Sequence, residues 1–205
     1  MTQKLLIGIV FIVTLLFSIQ SYSDEGNKGV VLGSKDAPIE VIEYMSLTCS
    51  HCAKFHNETF PFINENYIKT SKVRFEIRDF PLDGVAYRAS IISHCISREN
   101  SEKYFGFIKY LFEQQKAWIS SKDPIESLQK ISAIAGLNKE DFKSCLGDKL
   151  ISDRVLLSRK IGEDKYKIKS TPTLIINGKK YSGGLDEQAF KKVADKLINN
   201  KNWLE

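Results

Sequence analysis

Cysteine is scarce in this chain, and its scarcity narrows the chemistry. Four cysteines stand in 205 residues, at positions 49, 52, 95 and 145, and only Cys49 and Cys52 form a C-x-x-C. No second C-x-x-C and no H-x-x-x-H accompanies that pair, so the usual four-ligand zinc patterns are not made. His51 and His56 complete a ligand set on paper, but His51 lies between the two cysteines, where one ion could hardly take all three. Long apolar runs are lacking too. The run from Leu5 to Phe17 stops short of the roughly 20 residues that cross a bilayer as a helix. Clustered charge is also missing. The net charge of +5 comes from lysines that are mostly solitary or paired, the pattern of a solvated surface, so no nucleic-acid partner is expected.

What the chain does have begins at its first residues. Lys4 precedes the apolar run, and Ser21-Tyr22-Ser23 supplies small residues at both positions a signal peptidase inspects. Residues 1–23 are therefore expected to be a cleaved signal peptide that sends the chain to the periplasm. An uncleaved anchor is the alternative, because Ile19 and Tyr22 extend the run; either way the remainder is exported. No cysteine lies near the cleavage site, which argues against a lipoprotein anchor. Residues 24–205 suffice for one core, or for one domain carrying a large insertion. An even number of cysteines in an exported chain points to disulfide chemistry.

Asp24–Lys28 is a short polar leader, and Val30–Leu32 is a candidate strand. Ile39–Tyr44 is a near-continuous apolar run with β-branched residues, the pattern of a strand covered on both faces. Cys52, Phe55, Phe60, Ile63 and Tyr67 then recur at helical spacing, and Pro61 is expected to kink or break that helix. Val73, Phe75 and Ile77 alternate with Lys72, Arg74, Glu76 and Arg78, which predicts a half-buried strand. Strand, helix, strand is a βαβ unit with parallel strands.

A long helical stretch follows. Ala86, Ala89, Ile92, Cys95 and Ile96 share one face, as do Tyr104, Phe105, Ile108, Leu111 and Phe112. Asp123-Pro124 and Asn138 read as helix starts. Leu150, Val155, Leu157 and Ile161 outline a last helix of this stretch. Two strands, Thr173–Ile176 and Lys179–Tyr181, are joined by Asn177-Gly178, a strong hairpin signal. A closing helix runs from about Asp186 to Asn199. The fold class is therefore α/β: a thioredoxin fold (βαβ…ββα) with an inserted all-helical domain. Residues 24–83 and 165–205 form the thioredoxin-like part, and residues 84–164 the insertion.

Cys49-Ser50-His51-Cys52 sits where the Ile39–Tyr44 strand gives way to a helix. Unsatisfied N–H groups and the positive end of the helix dipole favour a thiolate there. Cys49, at the very start, is the expected nucleophile, and Cys52 the resolving thiol. His51 can add a positive charge or a donor near the Cys49 sulfur. A purely structural disulfide is the competing reading, although so short a loop contributes little to stability. Glu43 interrupts the apolar strand six residues before Cys49. It is either a buried acid able to pass a proton to and from Cys52 or an edge residue in solvent.

Asp36-Ala37-Pro38, Glu43-Tyr44, Ser46, Cys49–Cys52, Phe55, Arg78-Asp79-Phe80-Pro81-Leu82 and Ser170-Thr171-Pro172-Thr173 together resemble the DsbA-like thiol:disulfide oxidoreductases of the bacterial periplasm. The resemblance covers most of residues 24–205. It implies that Pro172 is cis and packs beside the active cysteines, so that the Thr171 backbone can pair with an extended substrate and deny metals access to the thiols. It also implies the buried acid at Glu43. Strongly oxidising members usually carry valine where this chain has Thr171, and isomerases often carry threonine. Cys95 and Cys145 lie on apolar helix faces, and some members of the family carry a second disulfide there. In an oxidising compartment such a bond would stabilise the fold by about 4 kcal/mol, less any strain; two unpaired buried thiols are the alternative. No role is assigned to His94, as a surface or internally satisfied histidine.

The expected function is introduction of disulfides into reduced exported proteins, with no cofactor and no metal. By resemblance, a DsbB-type membrane partner reoxidises the pair. The rival readings are an isomerase or reductase, and a thiol metal chaperone on the same scaffold. Known isomerases dimerise through an N-terminal module that Asp24–Lys28 is too short to supply, so a monomer is expected.

Overall fold

The computed structural model describes residues 29–98 and 100–199. The expected signal peptide and the leader at 24–28 lie outside the described residues. Strand β2 (Ile39–Met45) is buried at every position except Glu40, as a strand with neighbours on both edges and cover on both faces must be. β3 (Val73–Asp79) runs parallel to it, with Ile39 opposite Val73 and Met45 opposite Asp79. β1 (Val30–Leu32) pairs antiparallel with β3, and β4 (Thr173–Ile176) antiparallel with β2. β5 (Lys179–Ser182) closes the five-stranded order β1-β3-β2-β4-β5. Asn177 and Gly178, with φ of 42° and 80°, make the tight turn between β4 and β5 that their residue types predict.

Helix α1 spans residues 50–68 and joins β2 to β3. It is not broken at Pro61. Helical turns at Ser50–Lys54 and Phe60–Ile63 alternate with π turns at Phe55–Thr59 and Asn64–Ile68. The wider turn before Pro61 relieves the ring clash and the missing N–H, so the chain absorbs the proline without ending the helix. Between β3 and β4 come α2 (Gly84–Ser97), α3 (Ser101–Glu113), α4 (Gln115–Ile119), α5 (Pro124–Ile134), α6 (Lys139–Leu146) and α7 (Lys149–Asp164). The side chains of Asp83, Asn100, Asp123, Asn138 and Asp148 accept from first-turn N–H groups and start α2, α3, α5, α6 and α7. α8 (Glu187–Asn199) closes the described chain. No helix among the described residues is long and apolar enough to cross a membrane.

One apolar core runs from the sheet into the insertion, from Val41, Phe75 and Leu174 through Phe105 and Ile108 to Leu128 and Phe142. The opposite sheet face carries a smaller cluster of Ile42, Tyr44, Phe80, Ile168 and Ile175. Cys95 of α2 and Cys145 of α6 form a disulfide, with 6.1 Å between their Cα atoms.

Two expectations change. The outward face of β3 is not solvated: Glu76 and Arg78 are buried beneath α7. Arg78 Nε donates to Glu76 Oε1 at 2.7 Å and Arg74 to Glu76 Oε2 at 3.1 Å, so the charges are covered only because they are paired. The buried stripe of α7 also differs from its apolar pattern. Leu150 and Leu157 are exposed, and Val155, Ser158 and Gly162 face inward. Small residues are needed there, because a Cβ on Gly162 would meet the Tyr44 ring at 2.8 Å and Phe80 at 3.1 Å.

Two alanine substitutions therefore have opposite expected signs. Gly106→Ala on α3 meets nothing within 4 Å and should gain about 0.5–1 kcal/mol of helix stability. Gly162→Ala gains the same propensity, but overpacking against two buried rings costs about 1–3 kcal/mol, for an expected net loss. Urea unfolding midpoints of the two variants check both signs.

Candidate active site

Cys49 occupies the cap position of α1 in extended conformation (φ −79°, ψ 118°), and its side chain makes no cap hydrogen bond. The sulfur thus stands where first-turn N–H groups favour an anion. The preceding loop is held by the insertion. Gln115 Nε2 donates to Leu47 O at 2.9 Å and to Cys49 O at 3.0 Å. Thr48 Oγ1 donates to Asp83 Oδ2 at 2.7 Å, while Asp83 Oδ1 caps α2. One aspartate therefore ties the site loop to the first inserted helix.

The two cysteines are reduced and unequal. Cys52 is fully buried, and Cys49 is partly exposed. The Cys52 thiol donating to the Cys49 sulfur is the main cause that lowers the Cys49 thiol to about 5, and burial opposes it. The Thr171 hydroxyl and the backbone N–H groups of Cys52 and His51 add to the fall. Burial pushes Cys52 well up, and the nearby Cys49 and Glu43 charges push it further. The Thr171–Pro172 bond is cis, and Thr171 O accepts from Cys49 Sγ at 3.2 Å. That carbonyl favours the thiol. The buried Thr171 hydroxyl pulls the other way.

Ser50 and His51 are exposed. His51 reaches the Cys49 sulfur through its backbone N–H, and its ring lines a shallow groove of about 280 Å³ with Phe55, Gly184 and Leu185. Glu43 lies inside the sheet with no exposure, which removes the solvent-edge alternative. Its Oε2 is 2.8 Å from His56 Nε2. The His56 ring stacks on Phe112 at 4.6 Å and leans on Phe60 at 5.1 Å. Cys95 and Cys145 are not brought to this site; they bond to each other. Among the described residues no group of three or more His, Cys, Asp or Glu side chains is placed to hold a metal ion.

Sequence reasoning misses what two contributors do. His56, considered only as a metal ligand on paper, carried a readable signal, four residues after Cys52 on the buried side of α1. Gln115 carried none, since nothing local says that its amide reaches back to the site loop. Of the two expectations for His94 the internally satisfied one holds: it is buried and bonded to Asp79 at 2.6 Å.

The chain belongs to the thioredoxin family, whose model, described as thioredoxin, matches residues 25–196. Within that class it is DsbA-like. The crystal structure of Wolbachia pipientis alpha-DsbA1 superposes with a TM-score of 0.77 at 36% identity, covering 83% of this chain and 91% of that one. A Rickettsia bellii protein named as a protein-disulfide oxidoreductase is 34% identical over 73% of this chain. Disulfide bond formation protein D of Bacillus subtilis is 26% identical over 83% of this chain and 78% of its own length. The chain spans a little over half the length of the Rickettsia relatives it matches, 57% and 56% in two of them.

Titrating the thiolate absorbance of the reduced protein should give a midpoint near pH 5, and Cys52→Ala should move it upward by removing the leading donor. The folded value lies below the ordinary one of 9.0, so the thiolate stabilises the reduced fold fully above pH 9. That stabilisation is lost as pH falls through about 5. Melting points of reduced and oxidised protein across this window check the sign. The reduced form should lose its advantage towards low pH.

Proposed function

We propose that this chain is an exported enzyme that introduces disulfides into reduced proteins through Cys49 and Cys52. A substrate thiolate attacks Cys49 of the oxidised pair, the Cys49–Cys52 bond breaks, and Cys52 leaves as a thiolate and takes a proton. The substrate's second thiolate then attacks the substrate sulfur bound to Cys49, and Cys49 departs as a stable thiolate. Two electrons pass from substrate to enzyme, and a second disulfide, supplied by a DsbB-type membrane partner, removes them.

The observation that carries this reading is the inequality of the two sulfurs. A Cys49 thiolate favoured at neutral pH stabilises the reduced pair and makes the disulfide an oxidant. Ser50 and His51 line the approach to Cys49, Thr171 and Pro172 face it, and Glu43 exchanges the proton of Cys52. We take residues 84–164 as the inserted domain; its Gln115, together with Asp83 at its boundary, holds the site loop. Export through a cleaved leader at 1–23 supplies the oxidising compartment.

Thr171 favours a second reading, an isomerase or reductase, because its hydroxyl and carbonyl act on the Cys49 sulfur in opposite senses. Redox titration of the Cys49/Cys52 pair against glutathione separates the two. The oxidase predicts a potential between about −180 and −120 mV, and a value near about −270 mV overturns it in favour of a reductase. Reshuffling of a scrambled substrate by a dimer in solution would identify the isomerase instead.

A further inference from the structure

Glu43 Oε1, Tyr104 Oη and Asp79 Oδ1 are all buried and have no hydrogen-bond partner among the described residues. They are not scattered. Glu43 on β2 and Asp79 on β3 point to the same face of neighbouring strands, since Glu43 stands opposite Ile77 and Met45 opposite Asp79. That face is covered by α1 and the insertion. Each carboxylate holds a histidine there: Glu43 to His56 at 2.8 Å and Asp79 to His94 at 2.6 Å. Tyr104 of α3 is buried in the core on that side, with its ring 5.1 Å from that of His94. Burial raises the Tyr104 phenol, and the Asp79 and Glu43 charges raise it further, so the hydroxyl keeps its proton within the field of both carboxylates.

The row has two ends. One is Cys52, whose sulfur feels the Glu43 charge. The other is a cavity of about 500 Å³ beside the Cys95–Cys145 disulfide, lined by His94, Cys95, Arg98 and Arg154. Arg98 is exposed there, so the cavity reaches solvent, and the Arg154 charge helps hold Asp79 ionised. Open hydrogen-bonding atoms at successive buried sites are costly unless water links them, and a water needs at least two such atoms. A row serving packing alone would be apolar or fully paired.

We propose that Glu43–His56, Tyr104 and Asp79–His94 form a water-linked proton route between Cys52 and the cavity beside the second disulfide. The inference rests on the proposed exchange of a proton between Glu43 and Cys52. When substrate attack expels Cys52 from the disulfide, the route brings its thiolate a proton. On reoxidation the Cys52 thiol loses that proton along the same row. Its sulfur then bonds to Cys49, the bond from Cys49 to the incoming sulfur breaks, and that sulfur leaves with the electron pair. Cys49 is covered by substrate during both steps, so a path through the back of the site keeps the proton moving while the front is closed.

Tyr104→Phe tests the route cleanly, because the hydroxyl it removes makes no hydrogen bond within the described protein and its loss should leave the melting point unchanged. The full chain, carrying glutathione on Cys49, is followed by stopped flow as Cys52 resolves the mixed disulfide in H₂O and in D₂O. Tyr104→Phe is expected to slow resolution by about tenfold and to alter the solvent isotope effect, and His94→Gln at the far end should do the same. A Tyr104→Phe rate within about twofold of the parent, with Glu43→Gln slow, overturns the route and leaves the exchange at Glu43 standing. Unchanged rates in both sink the route and the Glu43 exchange together. A slow Tyr104→Phe beside a normal His94→Gln overturns the outlet at the cavity.

Discussion

A thiolate at Cys49 has to be surrounded by donors, and they come from distant parts of the chain. The Cys52 thiol lies one turn along the same helix. The Thr171 hydroxyl, 122 residues away in sequence, acts on the sulfur only because β4 pairs with β2. The loop that carries Cys49 is fastened from a third direction by Gln115 of the insertion and by Asp83, the cap of its first helix. Sheet pairing, helix start and insertion therefore converge on one sulfur atom. Charge placed there by preorganised donors is stabilised without reorganisation.

The insertion does more than enlarge the protein. Its helices share one apolar core with the sheet, and the boundary between them is where the buried polar groups collect. Glu43, His56, Tyr104, Asp79 and His94 all lie at that boundary. The opposite face of the sheet is also polar, but differently. Glu76, Arg74 and Arg78 pair closely beneath α7. Buried charge is tolerated on both faces, as a closed ion-pair network on one and as an incompletely bonded row on the other.

Much of the architecture could be read locally. Alternation, helical spacing, Asp and Asn at helix starts and the Asn177-Gly178 turn are short-range signals, and the elements they predict are present. The C-x-x-C at the start of a helix and Pro172 before the last hairpin marked the site from both ends. What escaped reading depends on contact between remote elements. His56 stood only as a metal ligand on paper until β2 brought Glu43 against it, and the charged side of β3 looked solvated until α7 covered it. Gly162 reads as a flaw in an amphipathic pattern; against Tyr44 and Phe80 it is the residue that lets the helix approach.

By itself the sequence determined the order of elements and the placement of the Cys49–Cys52 motif at a helix start, because backbone propensity and hydrophobic period act over a few residues. The tertiary structure decided which sulfur is held as a thiolate, which carboxylates are buried and with whom they share protons. Those properties follow from desolvation and from donors within about 3 Å, and only the folded chain brings Cys52, Thr171 and the backbone of His51 to the same atom.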